Sequence, residues 1–96
     1  MKYRSRTDIT AQILEGARGG ATKTKIMYKA FLSYQQLKEY LLVLEENGLL
    51  AHDETGMTFR TTPRGHQFID IHEKLNELSG LAVVDGIREK RSSKLP

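Results

Sequence analysis

Lysines at 23, 25, 29 and 38 surround the polar run Ser33-Tyr34-Gln35-Gln36, and Arg60 follows after an acidic interval. These residue types share one chemistry. Ammonium and guanidinium groups neutralise phosphates, while a carboxamide both donates to and accepts from a single base edge. Gln35 has the two-pronged reach that suits adenine, and Lys38 the reach that suits guanine or a phosphate. Ser33, Tyr34 and Gln36 add hydroxyl and amide groups beside them. Taken singly, each lysine reads as a solvated surface charge; the cluster carries more weight than its members.

Other chemistries find little support. There is no cysteine, which excludes thiolate metal sites, disulfides and thiol catalysis. His66 and His72 are six residues apart and so fall on different faces of a helix, unlike the i, i+4 pair of a zinc site. The three histidines are therefore read as surface residues. No phosphate-cradling glycine loop, serine nucleophile motif or paired acid in a pocket is present. The expectation is a binding protein, not an enzyme, with no cofactor, no metal and no small-molecule ligand.

The elements that must position these side chains follow from periodicity. A first helix, capped by Thr7 or Asp8, runs to about Arg18, with Ile9, Ile13, Leu14 and Ala17 on one stripe. Gly19-Gly20 ends it. Thr22 to Thr24 is either a short strand or a cap. A second helix covers roughly Lys25 to Ala30, with Ile26, Met27 and Ala30 inward. Ser33 opens the third helix, residues 34–47, and Ser33 with Gln36 fits the capping-box pattern. Steps of about 100° place Leu37, Tyr40, Leu41 and Leu44 on one arc and Gln35, Lys38, Glu39, Leu42 and Glu46 on the other. Leu42 faces either a thymine methyl or a protein surface. Tyr28 and Tyr34 lie beside buried leucines and are read as half-buried packing rather than as stacking groups.

Gly48 stops the third helix. Leu49–Asp53 and Met57–Thr61 then read as two strands of a hairpin through Glu54-Thr55-Gly56. Thr62 caps a final helix with Pro63 in its first turn, where a missing amide costs nothing. Phe68, Ile71, Leu75, Leu78 and Ala82 step by three and four, a coiled-coil seam. Phe68 and Ile71 are expected to pack on the first helix, and Leu75 and Leu78 on a twin helix. The order defines an α+β, mainly α, winged helix-turn-helix: three helices, a β-hairpin wing and a C-terminal dimerisation helix. In residue ranges, 1–62 form the winged unit with a basic N-terminal arm (Lys2, Arg4, Arg6), 63–85 the dimerisation helix and 86–96 a basic flexible tail.

Charge is sectored. Residues 1–38 carry eight cations against two acids, net +6; residues 39–85 carry three against nine, net −6; residues 86–96 carry four against one, net +3. A basic face for a polyanion with an acidic rear fits that pattern. No apolar run approaches the ~18 residues of a membrane span, and the basic N-terminus lacks the apolar segment of a secretory signal. A cytoplasmic, nucleoid-associated location is expected, with no membrane partner.

Lys25-Ile-Met-Tyr-Lys-Ala-Phe-Leu-Ser-Tyr34, then Tyr40, Leu44 and Gly48-Leu-Leu50, resemble the small archaeal winged-helix DNA-binding proteins. Thr62-Pro-Arg-Gly65 matches the threonine-x-x-glycine that begins the last helix of that family and of many other winged helices. The resemblance covers roughly residues 7–82. It implies double-stranded DNA as partner, a homodimer paired through a C-terminal coiled coil, and a role in chromatin or in transcription regulation. The chain departs from the pattern at Gly80, and again at Gly86. About 17 solid residues remain from Pro63 to Ser79, or ~25 Å at 1.5 Å per residue, where the family has a long unbroken helix.

Together these readings place Lys23, Lys25, Lys29, Ser33, Tyr34, Gln35, Gln36, Lys38 and Arg60 on DNA, and Phe68, Ile71, Leu75, Leu78 and Ala82 in a dimer interface. The alternative is a winged helix that binds protein.

Overall fold

The computed structural model describes residues 4–80. Its elements are α1 (Arg6–Gly16), α2 (Lys23–Ala30), α3 (Tyr34–Glu46), β1 (Leu50–Asp53), β2 (Thr58–Thr61) and α4 (Pro63–Ser79). The winged helix-turn-helix order read from the sequence is the order observed. Ala82, residues 81–85 of the expected dimerisation helix, the 86–96 tail and Lys2 lie outside the described residues.

Helix starts are set by hydroxyl caps. Ser5, not Thr7 or Asp8, caps α1: its Oγ accepts from the Asp8 amide, and Asp8 accepts from the Ser5 amide. Asp8 thus sits at the third helical position as the acidic half of a capping box. Thr22 caps α2, which begins two residues earlier than the periodicity suggests. The expected box of Ser33 and Gln36 starts α3, and Thr62 with Pro63 starts α4. Helix α1 ends at Gly16, short of Arg18, and the Ala17 carbonyl just beyond it accepts from both Gly20 N and Thr61 N at 3.0 Å.

One core joins α1, α2, α3, the hairpin and the first half of α4. Ile13, Leu14, Ile26, Leu37 and Ile69 are its fully buried large side chains, with Leu41, Leu44, Leu50 and Phe59 around them. Burial of each such side chain contributes roughly 1.5–3 kcal/mol. Strands β1 and β2 pair antiparallel from Leu50–Thr61 to Asp53–Thr58. Ala21 adds a single bridge to Phe59 on the free edge of β2. His52 stacks on Phe59 with ring centroids 4.3 Å apart, covering the core from outside.

Neighbouring threonines lock the hairpin to both sides of the molecule. Thr61 Oγ1 donates to the Leu14 carbonyl of α1 at 2.6 Å, and Thr62 Oγ1 donates to the Gly48 carbonyl after α3 at 2.6 Å. Gly65 comes so close that a Cβ there would lie 2.4 Å from the Leu49 oxygen and 2.6 Å from Thr61 Cγ2. The threonine-x-x-glycine element is therefore a steric requirement at this crossing.

Helix α4 corrects one expectation. Ile71 does not pack on α1; it is 66% exposed, and Ile69 at 1% takes that place. Gly65, Ile69, His72 and Asn76, spaced by four, three and four, face the domain. Ile69 is the only aliphatic side chain among those four; Phe68 packs partly against the core as expected, and from Ile71 onward the apolar rhythm tracks the opposite face.

His72 is not a free surface histidine. Its Nε2 lies 2.9 Å from Asp8 Oδ1, joining the middle of α4 to the start of α1, and its ring stacks on Phe68. This hydrogen bond holds the Asp8 carboxyl below its ordinary range; partial burial opposes it and the Ser5 cap reinforces it.

Candidate nucleic-acid interface

The N-terminal end of α3 stands at the surface because its cap and the preceding turn leave it uncovered. Leu37, Leu41 and Leu44 hold the inner face, while Tyr34, Gln35, Gln36, Lys38 and Glu39 are exposed. The Lys23 ammonium of α2 lies 5.9 Å from the Tyr34 ring centroid and that of Lys38 lies 5.6 Å from it. The ring is thus approached by two cations, each within cation–π range. Tyr34 is 53% exposed, so about half of it is buried as expected, and its open part meets the two lysines. This gathers two positive charges and a hydroxyl at the helix end whose backbone dipole also favours anions.

The base-reading groups are partly committed elsewhere. Ser33 Oγ accepts from the Gln36 amide at 3.2 Å and donates to Gln36 Oε1 at 3.2 Å, so its hydroxyl serves the cap. Gln36 Oε1 also accepts from the Ser33 amide, leaving the NH2 group of that carboxamide as its outward donor. Gln35 Nε2 donates to Glu39 Oε2 at 3.4 Å, a contact that a bidentate pairing to adenine would have to replace.

The remaining expected contacts diverge from this end. Successive residues turn by about 100°, so Lys25 and Lys29 lie on a different side of α2 from Lys23. The stem of Lys29 covers Gly16 of α1, with its Cδ 3.4 Å from where a glycine Cβ would stand. Lys29 also lines a cleft of about 700 Å³ between α1 and α4, together with Asp8, Glu15, His72 and Glu73. Arg60 is exposed on β2, but its guanidinium lies over Gly20 at the α1–α2 turn, not at the wing tip.

The tip itself is acidic. Asp53 Oδ1 accepts from the amides of Thr55 and Gly56, with Glu54 beside it and Met57 exposed. Nothing there neutralises a phosphate.

Arg4, in the basic N-terminal arm, is structural. Its Nη1 donates to the Ala30 carbonyl at 2.6 Å and to Gln12 Oε1, and its Nη2 to the Phe31 carbonyl at 3.0 Å. It closes the C-terminus of α2 from 26 residues away, a role no local pattern reveals.

Among the described residues no group of three histidines, cysteines or acids is placed to hold a metal, and no helix is long and apolar enough to cross a membrane.

An exposed, cap-stabilised third helix beside a two-stranded hairpin defines the class, and the family model for the winged helix-turn-helix matches residues 3–80. The chain belongs to that family. Among solved structures it is similar to Sso10a-2, a DNA-binding protein from Sulfolobus solfataricus, with TM-score 0.75 and 21% identity over 97% of this chain and 98% of that one. At that identity the likeness establishes a common fold. No curated protein matches the chain by sequence.

Proposed function

We propose that the protein binds duplex DNA as a homodimer, with the N-terminal end of α3 entering the major groove. The observation that carries this reading is the Lys23–Tyr34–Lys38 cluster at the outward end of that helix. A groove about 12 Å wide admits one α-helix, and entry by this end sets the cations at the groove walls. Glu45 and Glu46 lie at the far end of α3, away from the phosphates. The DNA-binding character of Sso10a-2, which shares the fold, supports the same reading.

Pairing through α4 is supported by Ile71, Leu75 and Leu78, which are 66%, 58% and 78% exposed along one stripe. Left in water, each would forgo roughly 1.5–3 kcal/mol of burial. A twofold pair would present two α3 ends to successive groove faces about 34 Å apart.

Because Ser33, Gln35 and Gln36 already have internal partners, the binding we propose is tolerant of sequence. That fits an archaeal chromatin-associated protein of the nucleoid better than a regulator of a few operators, and it is not catalysis. Genome-wide occupancy separates the two roles: a broad coat supports the first, a few sharp peaks the second.

Leu42 and Val43 are exposed on α3 and favour a second reading, a protein-docking winged helix. Salt dependence distinguishes them. Neutralising about five or six phosphates gives a log–log slope of affinity on salt near −5, at roughly −0.9 per phosphate. A slope near zero, or no duplex binding at low salt, supports the protein partner.

A further inference from the structure

Tyr28 and Phe31 are two of the seven phenylalanines and tyrosines of the chain, and both face water, at 69% and 77% exposure. Neither belongs to the core or to the α3 cluster. Phe31 is held at φ 54°, ψ 51° as the C-terminal cap of α2, a left-handed conformation usually given to glycine or asparagine. The Arg4 guanidinium fixes that turn through the Ala30 and Phe31 carbonyls. A bulky aromatic thus occupies an unfavourable backbone state, with its ring outside.

The lysines that the α3 cluster leaves out complete the pattern. At about 100° per residue, Lys25, Tyr28 and Lys29 share a ~100° arc of α2, and Lys23 lies outside it. Phe31 follows Tyr28 by one turn, and α2 contains no acid. Of these lysines the Lys29 stem turns against Gly16 of α1, which leaves Lys25 beside the rings. Exposed rings next to an ammonium group suit a ligand with flat π faces on an anionic backbone. In a duplex those faces are covered by neighbouring base pairs.

We propose that the outer face of α2 and its C-terminal turn form a stacking platform for single-stranded nucleic acid, with Tyr28 and Phe31 stacking unpaired bases and Lys25 holding a phosphate beside them. This activity is separate from duplex binding at α3 and stands without it.

The test is fluorescence anisotropy of the full chain at 50 mM salt with labelled twelve-nucleotide dT and U strands and with a duplex. Both strands, or one of them, should bind. Tyr28→Ala and Phe31→Asn should each weaken strand binding by about fivefold or more, the loss of one stacked base, while leaving duplex affinity unchanged. Tyr28→Phe, which keeps the ring, should retain strand binding. Asparagine tolerates the left-handed turn, and far-UV circular dichroism confirms that each variant folds. Binding of one strand alone assigns the preference between DNA and RNA strands. Failure of both strands to bind, the outcome expected of a protein-docking face, overturns the proposal, and so does strand binding undiminished in folded Tyr28→Ala and Phe31→Asn.

Discussion

Thr62 Oγ1 donates to the Gly48 carbonyl oxygen at 2.6 Å, bonding the cap of α4 to the turn that ends α3. The Thr62 amide adds a bond to the Leu49 carbonyl at 3.1 Å. The helix that offers its N-terminal end outward and the helix with the bare apolar stripe are therefore joined at one junction. In a pair formed through α4, that junction fixes the separation of the two α3 ends.

The junction should be sensitive to single atoms. Thr62→Ala removes a helix cap and is expected to cost about 0.5–2 kcal/mol of stability. Gly65→Ala should cost about 3 kcal/mol, the upper part of the range for overpacking, because its methyl group would overlap the Leu49 carbonyl and Thr61. Urea denaturation of the two variants measures both, and equal stability of Gly65→Ala and wild type would contradict the close approach.

Asp8 ties acid stability to the α1–α4 contact. Its carboxyl titrates below the ordinary value of 3.8 when folded. The stability it contributes is thus fully present above that value and is lost as pH falls through the depressed folded value. Replacing the partner, as in His72→Ala, should return the Asp8 titration toward its ordinary range. It should also shrink the part of the stability loss that falls below about pH 4. Carbon-detected NMR of the Asp8 carboxyl reads the shift directly, and an unmoved titration would contradict the hydrogen bond as its cause.

Charge variants separate the cationic faces. Lys23→Ala and Lys38→Ala should each weaken duplex binding on every sequence alike and reduce the salt slope by about 0.9 per lost phosphate contact. Lys29→Ala, whose stem lies against Gly16, should leave the slope nearly unchanged. Gln35→Ala should matter only where binding discriminates between sequences. Affinities measured across a salt series on two unrelated duplexes decide this, and a slope that responds to Lys29 but not to Lys23 would relocate the interface.

The stripe on α4 makes a prediction about assembly. Leu75→Glu places a charge at its middle and should convert a dimer to a monomer, with the secondary structure retained. Light scattering on the eluting protein reads the mass. A wild-type monomer at micromolar concentration would contradict pairing through this face.

Much of this architecture was legible in the residues. Ser33 with Gln36, and Thr62 with Pro63, mark helix starts by chemistry that acts within one turn, so their boundaries came out where the caps stand. Ser5 and Asp8 carry the same serine-x-x-acid signal, obscured by Thr7 beside them. Tyr28, read as half-buried packing, is 69% exposed; its angle of about 200° from buried Ile26 points it outward. Beyond Phe68, the inner face of α4 was not readable, because Gly65 packs there by close approach and His72 by a hydrogen bond rather than by apolar burial. Arg4 and Arg60 look alike as cations in a sequence. Only the fold shows one spent on the α2 carbonyls and the other laid over Gly20.

Amide chemical-shift mapping on adding a short duplex tests the assignment of the α3 end as the DNA-contacting surface most directly. The largest shifts should fall on Tyr34 to Lys38 and on Lys23, with the acidic wing tip, Glu54 to Gly56, nearly still. Shifts concentrated at the wing tip or along the outer face of α4, with the first turn of α3 unmoved, would contradict it.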